Sequence, residues 1–205
     1  MSKKVLGNTG RGLLFVISAP AGTGKSTLME MILEEFPDEV AESCSCTTRQ
    51  PRPGEIAKKH YEFITIEAFE EKIANKEFIE YAKVFGNYYG TRKEEVERLQ
   101  RQGKHVVLVI DTQGAMQIMG QVPALFIFVF PPSMDELRRR LFKRKTEDEE
   151  KIQERLLVAK QELAFASRYD YQIVNDDLTI THQVLKSIFI AEEHHNPTFR
   201  SKGES

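Results

Sequence analysis

Short apolar runs alternate with amphipathic stretches along this chain. Leu13-Leu14-Phe15-Val16-Ile17 is a continuous apolar run between Gly12 and Ala19-Pro20, the pattern of a strand buried on both faces. Directly after it, Leu28, Met29, Ile32, Leu33 and Phe36 recur at helical spacing until Pro37 ends the pattern. Residues 106–110 predict a second buried strand leading into Asp111. Residues 125–130 predict a third, stopped by Pro131-Pro132, and Ile173-Val174 before Asn175 a fourth. Three helical stripes follow: Met134, Leu137 and Leu141; then Ile152, Leu156, Ala159, Leu163 and Ala166; then Ile180, Val184, Ile188 and Ala191. Strands alternating with helices predict an α/β domain with a parallel sheet core flanked by helices.

Residues 43–91 break this rhythm. They are rich in Thr, Tyr and Arg and carry turn signals at Pro51, Pro53 and Gly54. They predict an inserted unit of short strands and one small helix, with Phe69 and Ile73 on the helix's inner face. The tail, 196–205, has no apolar pattern and is expected to fray. No repeat of 20–50 residues and no low-complexity tract interrupts the chain.

Composition narrows the picture. A chain of 205 residues fits one domain, and 40% apolar with 29% charged residues is too apolar for a disordered chain. Lys+Arg at 29 and Asp+Glu at 31 leave a net charge of −2, without the positive excess of a general nucleic-acid binder. The longest apolar run, 124–130, is far short of the roughly 20 residues that span a bilayer. Lys3 and Lys4 have no apolar stretch behind them, so neither a signal peptide nor a membrane segment is expected. The only cysteines are Cys44 and Cys46. On an extended segment their Cα atoms would stand roughly 6.6 Å apart, near the upper limit for a disulfide. Two thiols cannot supply four zinc ligands, and the five histidines are scattered apart from His194-His195. The cysteines therefore read as small packing residues in a reducing, cytoplasmic setting.

The chemistry begins at Ala19-Pro20-Ala21-Gly22-Thr23-Gly24-Lys25-Ser26-Thr27, between the first strand and the first helix. That context marks a phosphate-binding P-loop. Gly22 and Gly24 let backbone N–H groups curl around a phosphate, and the following helix points its N-terminal dipole at the anion. Lys25 reaches terminal phosphates and the Ser26 hydroxyl can ligate Mg²⁺. Ala19 stands where the strict pattern has glycine. A second constellation, Ser45-Cys46-Thr47-Thr48-Arg49-Gln50-Pro51-Arg52-Pro53-Gly54-Glu55, puts two arginines three apart around a proline turn. Their planar forks suit a shared oxyanion. Tyr61 and Gly86-Asn87-Tyr88-Tyr89-Gly90-Thr91 add hydroxyl donors.

Taken in order, these segments resemble guanylate kinases. So do Phe78-Ile79-Glu80, Asp111-Thr112-Gln113-Gly114, Pro131-Pro132-Ser133 and Val174-Asn175-Asp176-Asp177, and the resemblance runs from about residue 13 to 192. The Ala-Pro-Ala opening of the loop is similar to the bacterial form. The resemblance implies a P-loop NTPase fold with a core at about 1–42, 92–136 and 158–205. It also implies a small GMP-binding β subdomain at about 43–91 and a helical lid at about 137–157. It implies in-line transfer of the γ-phosphoryl of ATP to GMP, and to dGMP, with Mg²⁺ and with no nucleic acid or membrane as partner. The acting species would be a monomer or small homo-oligomer.

By the same resemblance, Arg49, Arg52, Tyr61 and Tyr89 would hold the GMP phosphate, and Ser45, Glu80, Thr91 and Asp111 would read the guanine. Lys25 with Arg140, Arg144 and Arg155 would be catalytic, Asn175 would flank the adenine, and Ser26 would ligate Mg²⁺. Guanine offers adjacent N1–H and N2–H donors to a carboxylate and an O6 acceptor to a hydroxyl, whereas adenine N1 is an acceptor. Arg138 and Arg139 read as a solvated helix face, and residues 146–150 as the start of a second lid helix, its acids favouring the helix dipole. One departure stands out: the family's acidic residue two before Asp111 is Val109 here. Two other readings share the fold: a partner-binding domain that has lost catalysis, and a kinase for another nucleotide or a sugar phosphate. The intact Lys25 and Ser26 speak against the first, and Ser45, Glu80 and Asp111 against the second.

Overall fold

The structure is a computed structural model that describes residues 4–52, 54–57, 61–84, 86–143 and 149–195. In chain order the strands and helices are β1 (Leu14–Ser18), α1 (Lys25–Glu35), β2 (Val40–Glu42), β3 (Cys46–Thr47), β4 (Glu62–Phe63) and α2 (Ile66–Ala74). Then come β5 (Phe78–Val84), β6 (Asn87–Arg92), α3 (Lys93–Arg101), β7 (His105–Val109), α4 (Thr112–Ile118) and β8 (Leu125–Phe130). The last four are α5 (Met134–Lys143), α6 (Glu149–Ala164), β9 (Tyr171–Val174) and α7 (Leu178–Glu193).

Five strands form an all-parallel sheet in the order β2-β7-β1-β8-β9. Parallel strands need helical crossovers, and those helices cover both faces. Alternate residues of each strand therefore feed two cores. Phe15, Ile17, Val107, Ile127 and Val129 meet Leu28, Met29 and Ile32 of α1 and Leu185, Ile188 and Phe189 of α7. Leu14, Val16, Val106, Leu108, Phe126 and Phe128 meet Val96 and Leu99 of α3 and Ala115 and Ile118 of α4. The predicted strands appear within a residue or two of their expected bounds. The predicted tally of four misses β2, a three-residue edge strand whose Ala41 and Glu42 carry no strand signal. It also misses α3 and α4, whose apolar stripes are only two or three residues deep.

The last helix presents a different face from the expected one. Of the expected stripe only Ile188 is buried; Ile180, Val184 and Ala191 are exposed, and Thr181, His182, Leu185 and Phe189 are buried instead. The larger Phe189 ring decides the rotation by stacking on Phe15 with centroids 4.2 Å apart. Thr181 tolerates burial because its hydroxyl donates to the Asp177 carbonyl at 2.7 Å.

A second, four-stranded sheet, β4-β3-β6-β5, spans the segment that breaks the α/β rhythm. Its small core is Cys46, Phe69 and Phe78, with Ile64, Ile73 and Tyr88 packed against them. Cys46 is thus a packing residue. Cys44 is half-buried and both thiols are free. A further cluster of Leu137, Leu141, Ile152 and Ala159 joins α5 to α6. Pro53, Arg144, residues 146–148 of the expected helix start, and the tail 196–205 lie outside the described residues. Among the described residues, no helix is long and apolar enough to cross a membrane.

Candidate active site

In an open parallel sheet, ligands gather at the carboxyl ends of the strands where the strand order reverses direction. Here β1 lies between β7 and β8, so the loop after β1 and Asp111 after β7 meet at that point. The loop takes the shape its glycines permit. Gly22 and Gly24 have φ of 91° and 105°, left-handed values that side-chain-bearing residues avoid. Gly24 caps α1, whose first residues are Lys25 and Ser26. The Lys25 ammonium donates to the Ala19 carbonyl inside its own loop. Burial pushes its pKa down, opposed by Glu162 and Asp111.

Two clefts flank the loop. One, of about 320 Å³, is lined by Lys25, Asp111, Arg155 and Glu162 among others. Arg155, Val158 and Glu162 recur at spacings of three and four, with Phe165 just past the helix end, so α6 turns one stripe toward the loop. Burial raises Glu162 to about 7, opposed by Lys25. The other cleft, of about 360 Å³, lies between Gly22, Gly24, Thr27, Arg140, Asn175 and Asp176. The buried Asn175 amide donates to the Thr23 carbonyl at 2.7 Å. Arg140 donates to the same carbonyl at 3.3 Å and to the Asn175 carbonyl at 3.2 Å, while its Nε pairs with Glu136 at 2.7 Å. Arg139 and Arg140 together hold Glu136 at about 2. Arg138 and Arg139 are exposed and pair with Glu149 and Glu136, as expected of a solvated face.

The four-stranded sheet contributes two further groups. In the first, Glu80 is buried, at 4% exposure, and its Oε1 accepts from the Thr91 hydroxyl at 2.6 Å. Thr91 Oγ1 lies 3.4 Å from Ser45 Oγ, which completes a hydroxyl–hydroxyl–carboxylate chain. Burial raises Glu80 to about 7, with the nearby Asp111 carboxylate adding to the shift. Asp111 is itself raised by burial, and its Oδ1 caps α4 by accepting from the Gly114 N–H at 2.9 Å.

In the second group, Arg49 donates to Tyr89 Oη at 3.2 Å, and its guanidinium lies 5.4 Å from the Tyr61 ring centre. Glu55 takes both ends of the Arg49 fork at 2.8 and 3.0 Å. That pairing shows the fork accepting a bidentate oxyanion, and it holds Glu55 below the usual carboxylate range. Arg52 is exposed, and its backbone N–H donates to Glu55 at 2.7 Å.

Mg²⁺ fits the donor set at the loop. Ser26 offers an exposed hydroxyl on the first turn of α1, and Asp111 a carboxylate in the cleft beside Lys25. These are hard oxygens too few for a cage. That suits an ion that keeps several waters and binds through substrate phosphates.

Most expected site residues therefore gather around the loop or in these two groups; Arg144 lies outside the described residues. Reading the sequence by residue misses Glu162, which has the signal of sitting two turns after Arg155. It also misses Glu55 and Glu136 as the carboxylates that orient Arg49 and Arg140.

The chain is similar to known proteins over nearly its whole length. The guanylate kinase family model matches residues 11–192. The guanylate kinase of Protochlamydia amoebophila is 53% identical over 188 residues, covering 92% of this chain and 95% of the relative. That of Chlamydia trachomatis serovar D is 48% identical over 181 residues, 88% of each chain. The crystal structure of guanylate kinase from Anaplasma phagocytophilum superposes with a TM-score of 0.75 at 35% identity, covering 94% of this chain and 91% of that one. A P-loop at the sheet's switch point, a second small sheet bearing a buried carboxylate, and similarity along nearly the whole length have one explanation: this chain belongs to the guanylate kinase family.

Proposed function

We propose that the chain transfers the γ-phosphoryl group of ATP to GMP, giving ADP and GDP, and accepts dGMP in the same way. The observation that carries this reading is the buried Glu80 carboxylate with Thr91 and Ser45, close to Asp111 and the P-loop cleft. Such a carboxylate needs donors to stay ionised, and guanine N1–H and N2–H supply an adjacent pair. On binding, the Ser45 hydroxyl would turn from Thr91 Oγ1 to donate to O6, and Thr91 and Asp111 would complete the base site. Adenine N1, an acceptor, would face the carboxylate unfavourably.

Arg49, Arg52, Tyr61 and Tyr89 would clamp the GMP phosphate, which displaces Glu55 from the Arg49 fork. Residues 19–27 would cradle the ATP phosphates, with Asn175 on the adenine side. An oxygen of the GMP phosphate attacks the γ-phosphorus, the bond to the β–γ bridging oxygen breaks, and its electron pair leaves with ADP. No bond to the protein forms. Positioning and charge neutralisation do the catalysis, so Lys25, Arg140, Arg144 and Arg155 are assigned that role. Ser26 would hold Mg²⁺ together with the ATP phosphates, and the ion would supply positive charge to offset theirs. A coupled ADP-release assay with ATP and GMP, dGMP, AMP, CMP and UMP tests the reading. Turnover with GMP and dGMP far above the others is expected, and equal turnover with AMP would reject it.

A further inference from the structure

Glu80 sits at a seam between the two sheets. Its strand, β5, is an edge of the four-stranded sheet, so one side of its backbone has no strand partner. Helix α4, which follows β7 of the other sheet, fills that side. The Gln117 amide donates to the Tyr81 carbonyl at 2.6 Å and accepts from the Tyr81 N–H at 3.3 Å. This pair of bonds is what a neighbouring strand would make, at the residue next to Glu80.

One turn earlier on the same face is Gly114. Its φ is not among the left-handed ones, so an alanine backbone would be unstrained there. What excludes a side chain is space. A methyl at residue 114 would overlap Glu80 Oε2, and would lie 3.2 Å from its Cδ and 3.4 Å from Ile110 Cδ1. The carboxylate cannot retreat freely, because Thr91 holds its other oxygen at 2.6 Å. The Gly114 N–H is in turn fixed by Asp111 at 2.9 Å.

We propose that Gly114 and Gln117 are positioning residues for base recognition. Gly114 makes room for the Glu80 carboxylate, and Gln117 fixes the strand that carries it. The inference rests on the reading of Glu80 as the guanine-binding group. It makes α4 the part that registers the base site against the P-loop core, since the same helix begins at Asp111.

The test is a double-mutant cycle read in KM and kcat for GMP, AMP and ATP. Gly114→Ala is expected to melt near wild type and to lose roughly 10- to 100-fold in kcat/KM for GMP, the range for disturbing a hydrogen bond to a charged group. The loss should fall mostly in KM, narrow the GMP:AMP preference, and leave the ATP KM unchanged. In a Glu80→Gln background the same substitution should cost less than about 3-fold, because its effect runs through the lost carboxylate. Equal losses in both backgrounds, or unchanged GMP kinetics in the Glu80 background, overturn the proposal. If Gly114→Ala does not fold, Gln117→Ala at the exposed position 117 decides. A rise in GMP KM of about 3-fold or more that vanishes with Glu80→Gln supports it, and no rise overturns it. A wild type without preference for GMP overturns the reading of Glu80 and this inference together. A GMP-selective wild type indifferent to both positions overturns the inference alone.

Discussion

Replacing Glu80 by glutamine changes one acceptor oxygen into an NH₂ donor with almost no change of shape. The Thr91 hydroxyl, 2.6 Å from Oε1, keeps the remaining carbonyl oxygen on its side. The new NH₂ therefore takes the Oε2 position and meets the guanine donors. Two buried donors facing each other leave both unsatisfied, at a cost of about 1–3 kcal/mol, and loss of a charged acceptor adds to it. By that range, kcat/KM for GMP should fall at least roughly 5- to 150-fold. AMP should suffer much less, since its N1 can accept from the new donor, so the GMP:AMP preference narrows through the GMP term. The same variant has a second readout in the ligand-free protein. Glu80 is raised from 4.5 to about 7 by burial, so at pH 8 wild type carries an ionised group that the fold disfavours. Glutamine is neutral, and should relieve up to about 3 kcal/mol of that penalty, appearing as a higher Tm at pH 8 than wild type and little gain at pH 5. Steady-state kinetics with both nucleotides and thermal melts at the two pH values make the assay. An unchanged GMP:AMP ratio would refute the assignment of Glu80 as base reader and move it to Asp111 and Thr91.

Lys25→Ala should leave a folded protein whose phosphoryl transfer is reduced by orders of magnitude; near-normal turnover with a normal melt would reject Lys25 as the phosphate lysine. Arg140 and Arg155 lie on α5 and α6, which should close over ATP only when both substrates are present. ATP hydrolysis without GMP should then be slow, and small-angle scattering that shows equal compactness with and without both substrates counts against closure. Ligand-free stability should peak on the acid side of neutrality. Glu80 and Glu162, both raised to about 7 from 4.5, contribute stability that is full below 4.5 and lost as pH rises through 7. Glu193, lowered from 4.5 to about 2, contributes stability that is present above 4.5 and lost as pH falls toward 2. A Tm that does not decline between pH 5 and pH 8 would contradict these assignments.

The parts of the fold legible in the sequence are those whose burial is complete. β1, β7 and β8 are apolar on both faces, so their runs are continuous and their bounds are missed by a residue at most. The P-loop was legible because glycine spacing, a preceding strand and a following helix all agree. Elements with shallow burial were not legible: β2 has one buried residue and α3 two, too few to make a period. In α7 two apolar stripes compete, and the one carrying Leu185 and Phe189 faces the sheet, with Phe189 stacked on Phe15. The residues proposed to read the base are named by resemblance, and Ser45, Thr91 and Glu80 do lie together, but the groups that support them carry no signal in the sequence. Gly114 and Gln117 act on residues more than 30 positions away, through a contact no local pattern encodes. Val109 is half-buried and packs against the core under α1, so that the acids interacting with Lys25 are Asp111 and Glu162.

At the opposite end of the sheet from the P-loop, His105 and Glu193 form a buried pair. The Leu13 N–H donates to His105 Nδ1 at 3.1 Å, so Nε2 carries the proton toward Glu193 Oε2 at 2.5 Å. Glu193 also accepts the backbone N–H groups of Gly7 and Asn8 at 2.7 and 2.9 Å. Gly7 and Glu193 are 186 residues apart in sequence. In an open chain that closure is entropically costly, yet once β1 and α7 have docked through Phe15 and Phe189 it spans only a few residues. The cluster is therefore cheapest to assemble after the sheet, and Glu193→Gln is expected to speed unfolding more than it slows folding. On that expectation the His105–Glu193 pair is a latch on the folded molecule, one that lengthens its native lifetime without guiding the chain there.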